Sequence, residues 1–275
     1  MKNVLKEFML TGRVVVITGA AGFLGEMHAE AVAESGGHPV LIDLSQQRLK
    51  DVCYRLIERY PECNPFGICC SVTERHVLES VLEQIIDKYG RLDALINNAC
   101  NNPTMKSDKV FGRLEDLTYD EFKEDTDVGL YGSICCSQVF GSYMSTHGGG
   151  VILNIASDLG VIAPNQSLYR VEGKDESEQP KKPITYSTTK WGLIGMTKYL
   201  STYWSMCNVR TNALAFGGVY NNQSDVFVKR VSELIPMHRM ARRDEYKGSV
   251  VYMISDASSY MNGAVVSVDG GRTAW

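Results

Sequence analysis

Uninterrupted apolar runs and amphipathic stretches alternate along this chain from residue 13 to its end. Val14-Val15-Val16-Ile17 is β-branched throughout, as a strand buried on both faces requires. Thr18-Gly19 ends the run, Gly19, Gly22 and Gly25 follow at three-residue spacing, and Met27, Ala31 and Val32 then recur at helical intervals. That pattern reads as strand, glycine turn, helix. A second strand over 39–42 stops at Asp43, and Ser45 caps a helix to residue 60 carrying Leu49, Val52, Cys53, Leu56 and Ile57 inward. A third strand is expected at 65–70, a helix at 73–89 stopped by Gly90, and a fourth strand at 92–96. An irregular piece (100–117) precedes a long helix from about 119 to 146, a triple-glycine break and a fifth strand at 151–155. Beyond residue 185 the pattern predicts a helix at 186–203 and a strand at 209–214. An irregular stretch through Pro236 follows, then a helix at 244–255 and a closing strand at 264–268. Strands alternating with helices imply right-handed βαβ crossovers and a parallel sheet. The expectation is one doubly wound α/β domain over 1–275, with a seven-stranded parallel sheet flanked by helices.

The segment 160–185 breaks this rhythm. It is polar and charged, with Pro164, Pro180 and Pro183, and a loop of that length inside a compact domain is functional or disordered as a rule. It reads either as a solvated flap or as an active-site arm, about 163–183, serving as a lid or subunit contact for a polar substrate.

Composition narrows the function classes. The 275 residues are 44% hydrophobic and 22% charged, with net charge −4 and no basic block, which argues against a nucleic-acid partner. No apolar run has the length of a membrane span, and Lys6 and Glu7 interrupt any signal-peptide core. The eight cysteines form no CxxC pair and read as reduced, small core residues of a cytoplasmic protein. Five scattered histidines give no support to a metal site.

The glycine turn has the mechanics of a dinucleotide site. Gly19 makes the tight turn, Gly22 admits a pyrophosphate to the backbone, and Gly25 packs helix on strand. Phosphates then face the free N–H groups and dipole of the new helix. Asp43, at the end of the second strand, is placed to bind both ribose hydroxyls. Tyr186 and Lys190 share one helical face at i, i+4. A phenol with its ordinary pKa of about 10 is a poor base at neutral pH. An ammonium one turn away and an oxidised nicotinamide would both favour the phenolate, which can then exchange a proton with an alcohol or carbonyl oxygen. Ser157, just past the fifth strand, lies at the carboxyl edge where such sheets bind ligands.

Taken together, Thr18-Gly19…Gly22…Gly25, Asp43, Asn97-Asn98-Ala99, Asn154-Ile155-Ala156-Ser157, Tyr186-Ser187-Thr188-Thr189-Lys190, Asn212 and Val268-Asp269-Gly270-Gly271 resemble the short-chain dehydrogenase/reductase family almost end to end. The resemblance implies a Rossmann-type fold, NAD(P)-dependent alcohol/carbonyl chemistry and a small-molecule substrate, with no nucleic acid or membrane partner. It assigns Tyr186 as acid/base, Ser157 as stabiliser of the substrate oxygen, and Lys190 as the residue that tunes Tyr186 and holds the nicotinamide ribose. The cofactor-binding set it implies is Gly19, Gly22, Phe23, Leu24, Gly25, Asp43, Leu44, Ser71, Val72, Asn98, Ala99, Tyr186, Lys190, Gly217 and Val219, with Asn97 also bordering the cofactor. Asp43 points to NAD rather than NADP. Family members are usually homotetramers or homodimers.

Four positions depart from the family pattern. The TGAAGFLG spacing is that of the extended branch, whereas the length and the VDGG ending fit the shorter one. Gly129 stands where the family places a fourth catalytic residue, an Asn whose backbone helps carry a proton-relay water. Ser71 replaces the usual adenine-contacting Asp, and Phe216 replaces the proline of a Pro-Gly pair. The long 163–183 insertion and the GGVYNNQ run are similar to members acting in sialic-acid-like and surface-polysaccharide sugar pathways. Three readings follow: an NAD-dependent oxidoreductase for a polar, sugar-like secondary alcohol or carbonyl; a sugar epimerase or dehydratase that recycles its NAD; and an inactive nucleotide-binding scaffold.

Overall fold

A computed structural model describes residues 3–101 and 112–275. Seven strands, β1 (Val14–Thr18), β2 (His38–Asp43), β3 (Phe66–Cys69), β4 (Ala94–Asn97), β5 (Gly150–Ser157), β6 (Val209–Phe216) and β7 (Val265–Val268), form a single sheet in the order β3-β2-β1-β4-β5-β6-β7. Every pairing is parallel. The order reverses between β1 and β4, so the crevice at their carboxyl ends is where a doubly wound sheet binds ligands.

The helices are α1 (Val4–Glu7), α2 (Phe23–Glu34), α3 (Gln46–Arg59), α4 (Arg75–Tyr89), α5 (119–146), α6 (Ile184–Tyr203), α7 (Asp225–Glu233) and α8 (Lys247–Ile254). Strand periodicity divides the core between the two faces of the sheet. Val15 and Ile17 of β1 pack with Met27 and Val32 of α2 and Val250 and Met253 of α8. Val14 and Val16 pack on the other face with Leu78, Val81 and Ile85 of α4 and Phe140 of α5. This is why β1 reads as continuously apolar.

Several details differ from the sequence pattern. β5 and β6 each continue to Ser157 and Phe216, because their ladder extends to that last pair and keeps both residues buried. The long helix is continuous but contains two π turns, Asp127–Tyr131 and Ser137–Gly141, each a local widening that periodicity does not report. The stretch expected to be irregular before Pro236 contains α7, whose Ser224 side chain accepts a bond from Phe227 N–H; nine residues give too few periods to stand out. Of the cysteines, all free, Cys63, Cys135 and Cys136 are buried as expected, but Cys69 and Cys207 are exposed. Most of the expected irregular piece after Cys100 falls at 102–111, outside the described residues.

The 163–183 arm is an ordered structure packed on α7. Leu168 lies against Val231, Ile235 and Met240, and the Tyr169 and Phe227 rings are 5.9 Å apart. Gln179, 2% exposed, pins the arm to itself. Its Oε1 accepts from Val171 N–H at 2.8 Å, while its Nε2 donates to the carbonyls of Val171 at 3.0 Å and Lys174 at 2.6 Å. At the far end Thr185 Oγ1 donates to Asp125 on α5 at 2.5 Å. Replacing Gln179 with Ala strips partners from three backbone groups, each worth about 1–3 kcal/mol if left buried and unbonded. We expect Gln179→Ala to make the arm a site of limited proteolysis while the sheet's thermal transition moves little. Unchanged cleavage kinetics would show that the α7 contacts hold the arm by themselves.

Candidate active site and cofactor cleft

The cleft begins at the end of β1. Gly19 takes φ +61°, a left-handed conformation, and a Cβ there would sit 2.9 Å from Ala99 Cα. A Cβ on Gly25 would run into the Gly19 carbonyl, so the first turn of α2 lies directly on the strand end. Gly22 caps α2 without any side chain over the first turn, which leaves the backbone around Phe23 and Leu24 accessible to an anion. Those features fit a diphosphate, and they belong to the residues that sequence singled out.

The walls of the cleft are tied together by hydrogen bonds. Thr18 Oγ1 accepts from the N–H groups of Asn98 and Ala99, both at 3.0 Å. Asn98 Nδ2 donates to the carbonyls of Thr18 at 2.9 Å and Gly19 at 3.2 Å. This clamps β1 to β4 at the switch point. Asn97 turns the other way: it is 1% exposed and its Nδ2 donates to Asn154 Oδ1 at 2.9 Å and Ser137 Oγ at 3.2 Å. Its side chain therefore belongs to the interior.

Asp43 stands at the end of β2 with its carboxylate accepting from Ala21 N–H at 3.0 Å and Ser45 N–H at 3.2 Å. Leu44 beside it is exposed. The Arg48 guanidinium donates to the Ala21 carbonyl, which brings a cation to the same turn. Ser71 Oγ and Thr73 Oγ1 are 2.8 Å apart and Val72 is buried, so the position of the missing adenine-contacting Asp is a compact hydroxyl pair. On the opposite side Gly217 lies against Asp269, where a Cβ would meet Asp269 Cα at 2.8 Å. Val219 bridges to Ala241 in parallel register.

Ser157, Tyr186 and Lys190 converge at the carboxyl ends of β4 to β6. Ser157 is the last residue of β5, Tyr186 and Lys190 lie one turn apart on α6, and α6 packs along β5 and β6. Lys190 is buried, donates from Nζ to the Ile155 carbonyl at 2.8 Å, and lies 5.6 Å from the Tyr186 ring centroid. Burial pushes the Tyr186 phenol above its ordinary pKa; Cys100 and Asp158 push the same way and a bond with Ser157 opposes them. Desolvation is the largest influence, so the phenol is raised rather than lowered.

Five nearby residues were not singled out from sequence. Asp158 directly follows Ser157 and accepts its hydroxyl at 2.8 Å. Lys182, from the arm, places its ammonium 4.0 Å from the Tyr186 ring centroid. Burial, the largest influence, brings Lys182 down to about 8; Lys190 acts the same way, against Cys100, Asp158 and Asp125. Tyr169, also on the arm, is pushed up to about 12 by burial and then by Asp158 and Tyr186. Cys100 lies beside Gly129, where a Cβ would be 3.2 Å from its Sγ and 2.5 Å from Thr189 Cγ2. His28, fully buried and depressed to about 3 by that burial, sits 3.2 Å from Asn98 Oδ1 through Nε2. Adjacency could have flagged Asp158 and the charge of the arm Lys182; nothing local points to His28.

The comparisons agree with this geometry. Residues 13–170 match the family model for short chain dehydrogenase, and residues 174–273 match that described as enoyl-(acyl carrier protein) reductase. The NAD-dependent glycerol dehydrogenase of Listeria innocua serovar 6a is 28% identical over 276 residues, spanning 98% of this chain and 96% of its own. The post-translational flagellin modification protein A of Campylobacter coli is 24% identical over 265 residues, spanning 96% and 99%. The crystal structure of a short-chain type dehydrogenase/reductase from Mycobacterium marinum superposes with a TM-score of 0.85 at 25% identity, covering 100% of both chains. No described helix is long and apolar enough to cross a membrane. The chain belongs to the short-chain dehydrogenase family, NAD(P)-dependent oxidoreductases that act on CH–OH groups.

Proposed function

We propose that this protein interconverts a polar, sugar-like secondary alcohol and its carbonyl form, using NAD in preference to NADP. The observation that carries the reading is the convergence of Ser157, Tyr186 and Lys190 at the carboxyl edge of the sheet, with Lys190 5.6 Å from the Tyr186 ring centroid and Ser157 easing ionisation of the phenol. The nicotinamide cofactor supplies the hydride acceptor or donor. Gly19, Gly22 and Gly25 with the first N–H groups of α2 hold its diphosphate, and Asp43 accepts from its adenosine ribose. Leu44, Ser71 and Val72 bracket the adenine, while Asn98, Ala99, Gly217 and Val219 line the route to the nicotinamide.

On the substrate side, Tyr186 exchanges the proton of the reacting oxygen and Ser157 hydrogen-bonds the same oxygen. Lys190, anchored on Ile155, orients Tyr186 and the nicotinamide ribose. The polar lining from Lys182, Tyr169, Asp158 and Cys100 favours a hydroxylated substrate over a hydrocarbon one. That the Listeria relative is named for glycerol is in keeping with a polyol. An NAD-coupled screen of polyols, ketoses, sugar phosphates and nucleotide sugars, read by absorbance of the reduced cofactor, tests the class. Steady product without net NADH formation would instead support an NAD-recycling epimerase or dehydratase, the reading favoured by the extended-branch glycine spacing.

Tyr186→Phe keeps the ring and removes the proton-bearing oxygen. It should lower kcat by roughly 10²–10⁴-fold with little change in NADH affinity. Near-normal turnover on the true substrate would remove Tyr186 from the chemistry.

Asp43→Ala should weaken NAD and strengthen NADP binding, because it removes a carboxylate that repels a 2′-phosphate and leaves Arg48 on the same turn to meet one. Fluorescence titration with NADH and NADPH reads the ratio. Equal affinities in the unmutated protein would contradict the assigned preference.

Lys182→Met should raise KM several-fold while the NADH dissociation constant stays within a few-fold, since the ammonium lies over Tyr186 from the arm. Lys182 carries its charge below about pH 8, so the wild-type KM should rise as pH climbs through that value, and the variant's should not. Matching pH profiles would place the titration elsewhere.

A further inference from the structure

Ser157 has one proton to give and two neighbouring oxygens that can take it. Its hydroxyl donates to Asp158 Oδ1 at 2.8 Å, and the same hydroxyl is the group that bonds the Tyr186 phenol. Leu159 N–H fixes the arrangement by donating to Asp158 Oδ1 at 2.8 Å and to Ser157 Oγ at 3.2 Å. Asp158 thus holds the Ser157 hydroxyl in a fixed direction, and Ser157 is the hydroxyl that eases ionisation of the Tyr186 phenol. The family's alternative relay is altered in this chain. Gly129 has no side chain, Thr189 occupies the space one would need, and the Gly129 carbonyl already accepts Ser133 Oγ at 2.8 Å.

We propose that Asp158 is a positioning residue for Ser157 and the acceptor end of a proton path from Tyr186, so that its charge sets the direction in which the Ser157 hydroxyl points. This rests on the catalytic reading above. An ionised Asp158 takes the Ser157 proton, which leaves Ser157 Oγ free to accept from Tyr186 or from an alcohol. A protonated Asp158 donates to Ser157 Oγ and turns the Ser157 proton toward a carbonyl oxygen. In alcohol oxidation a bound oxidised nicotinamide would take the hydride, and the hydroxyl proton of the substrate passes to Tyr186. Tyr186 hands a proton to Ser157 as Ser157 hands its own to Asp158, and Asp158, part-exposed, releases one proton to water. Each oxygen gains and loses one proton, and the net release is one per turnover.

The surroundings suit a group that changes charge. Burial, the largest influence, raises the Asp158 carboxyl above its ordinary pKa, and Asp269 adds to it; the Ser157 and Leu159 bonds and Arg272 oppose them. Facing it from the other elements are Tyr186 on α6, Lys182 and Tyr169 on the arm, and Tyr246 ahead of α8. The sign for stability follows. A carboxyl with a raised folded-state pKa contributes stability below its unfolded pKa and loses it as pH rises through the folded value.

The test compares wild type with Asp158→Asn and Asp158→Glu. Tyrosinate formation, followed by ultraviolet difference absorbance and assigned to Tyr186 by subtracting Tyr186→Phe, should move to lower pH in Asp158→Asn, because a charge that opposes the phenolate is gone. The melting temperature of Asp158→Asn at neutral pH should exceed that of wild type and depend less on pH. With glycerol and xylitol as probe alcohols, oxidation should lose an acid limb of its kcat profile and fall about 10²-fold, the low end of general acid–base effects. Asp158→Glu should restore part of both. A Tyr186 titration that does not move, or an acid limb that survives in Asp158→Asn, overturns the proposal. If Tyr186→Phe itself retains turnover, the catalytic reading fails first, and the titration and melting data still report whether Asp158 is coupled to Tyr186.

Discussion

The close approach of α2 to β1 is the constraint on which the rest of the site depends. Gly25 lies where any side chain would strike the Gly19 carbonyl, and Gly19 takes a left-handed turn against Ala99. With the helix seated that low, its uncapped first turn opens onto the carboxyl edge of the sheet. The Thr18 hydroxyl and the Asn98 amide then lock the ends of β1 and β4 to one another. His28 supports that lock from behind. Because Asn98 Nδ2 is committed to two carbonyls, its Oδ1 must accept, so the neutral His28 is the tautomer that donates from Nε2. A buried, uncharged imidazole is thus part of how the cleft is held open.

What sequence revealed follows from which interactions are local. The β-branched run at Val14–Thr18, the glycine spacing and the Tyr186/Lys190 pair are one-dimensional consequences of strand burial, turn geometry and helical pitch, and each is found where the pattern put it. The glycine turn and the strand ends that frame the candidate cleft were legible for the same reason. The substrate side was not. Asp158 matters because the chain leaves β5 in a tight 3₁₀ turn that folds its carboxylate back on Ser157, and Lys182 matters because Gln179 and Thr185 bring the arm to α6. Neither contact has a sequence period. The π turns of α5 escaped for a related reason, since no residue type marks them in the sequence.

Two of the departures from the family pattern are each matched to their own neighbours by packing. Phe216 at the end of β6 stacks on Tyr246 at 3.9 Å and lies 6.1 Å from His28, and the Tyr246 hydroxyl donates to the Gly217 carbonyl at 2.9 Å. The aromatic column carries the loop into Gly217 and Val219 by stacking and a hydrogen bond, where a proline would have stiffened the backbone itself. Gly129 shows the same logic. A side chain at 129 would displace the Thr189 methyl and press on Cys100, so the glycine is matched to its neighbours.

That matching bears on whether the altered site is a degraded one. Random loss of a catalytic side chain leaves a cavity, and cavities in a close-packed interior cost stability in proportion to their volume. Here Thr189 and Cys100 fill the space beside Gly129, Ser133 satisfies its carbonyl, and Ser157 keeps a partly buried carboxylate as partner. A carboxylate held in a largely desolvated place is itself unfavourable, and its charge opposes ionisation of the neighbouring phenol. A scaffold that merely bound nucleotide would gain from replacing Asp158 by an uncharged residue. On the proposed catalytic reading, that cost beside Ser157 and Tyr186 is offset by what the carboxylate does for the Ser157 hydroxyl.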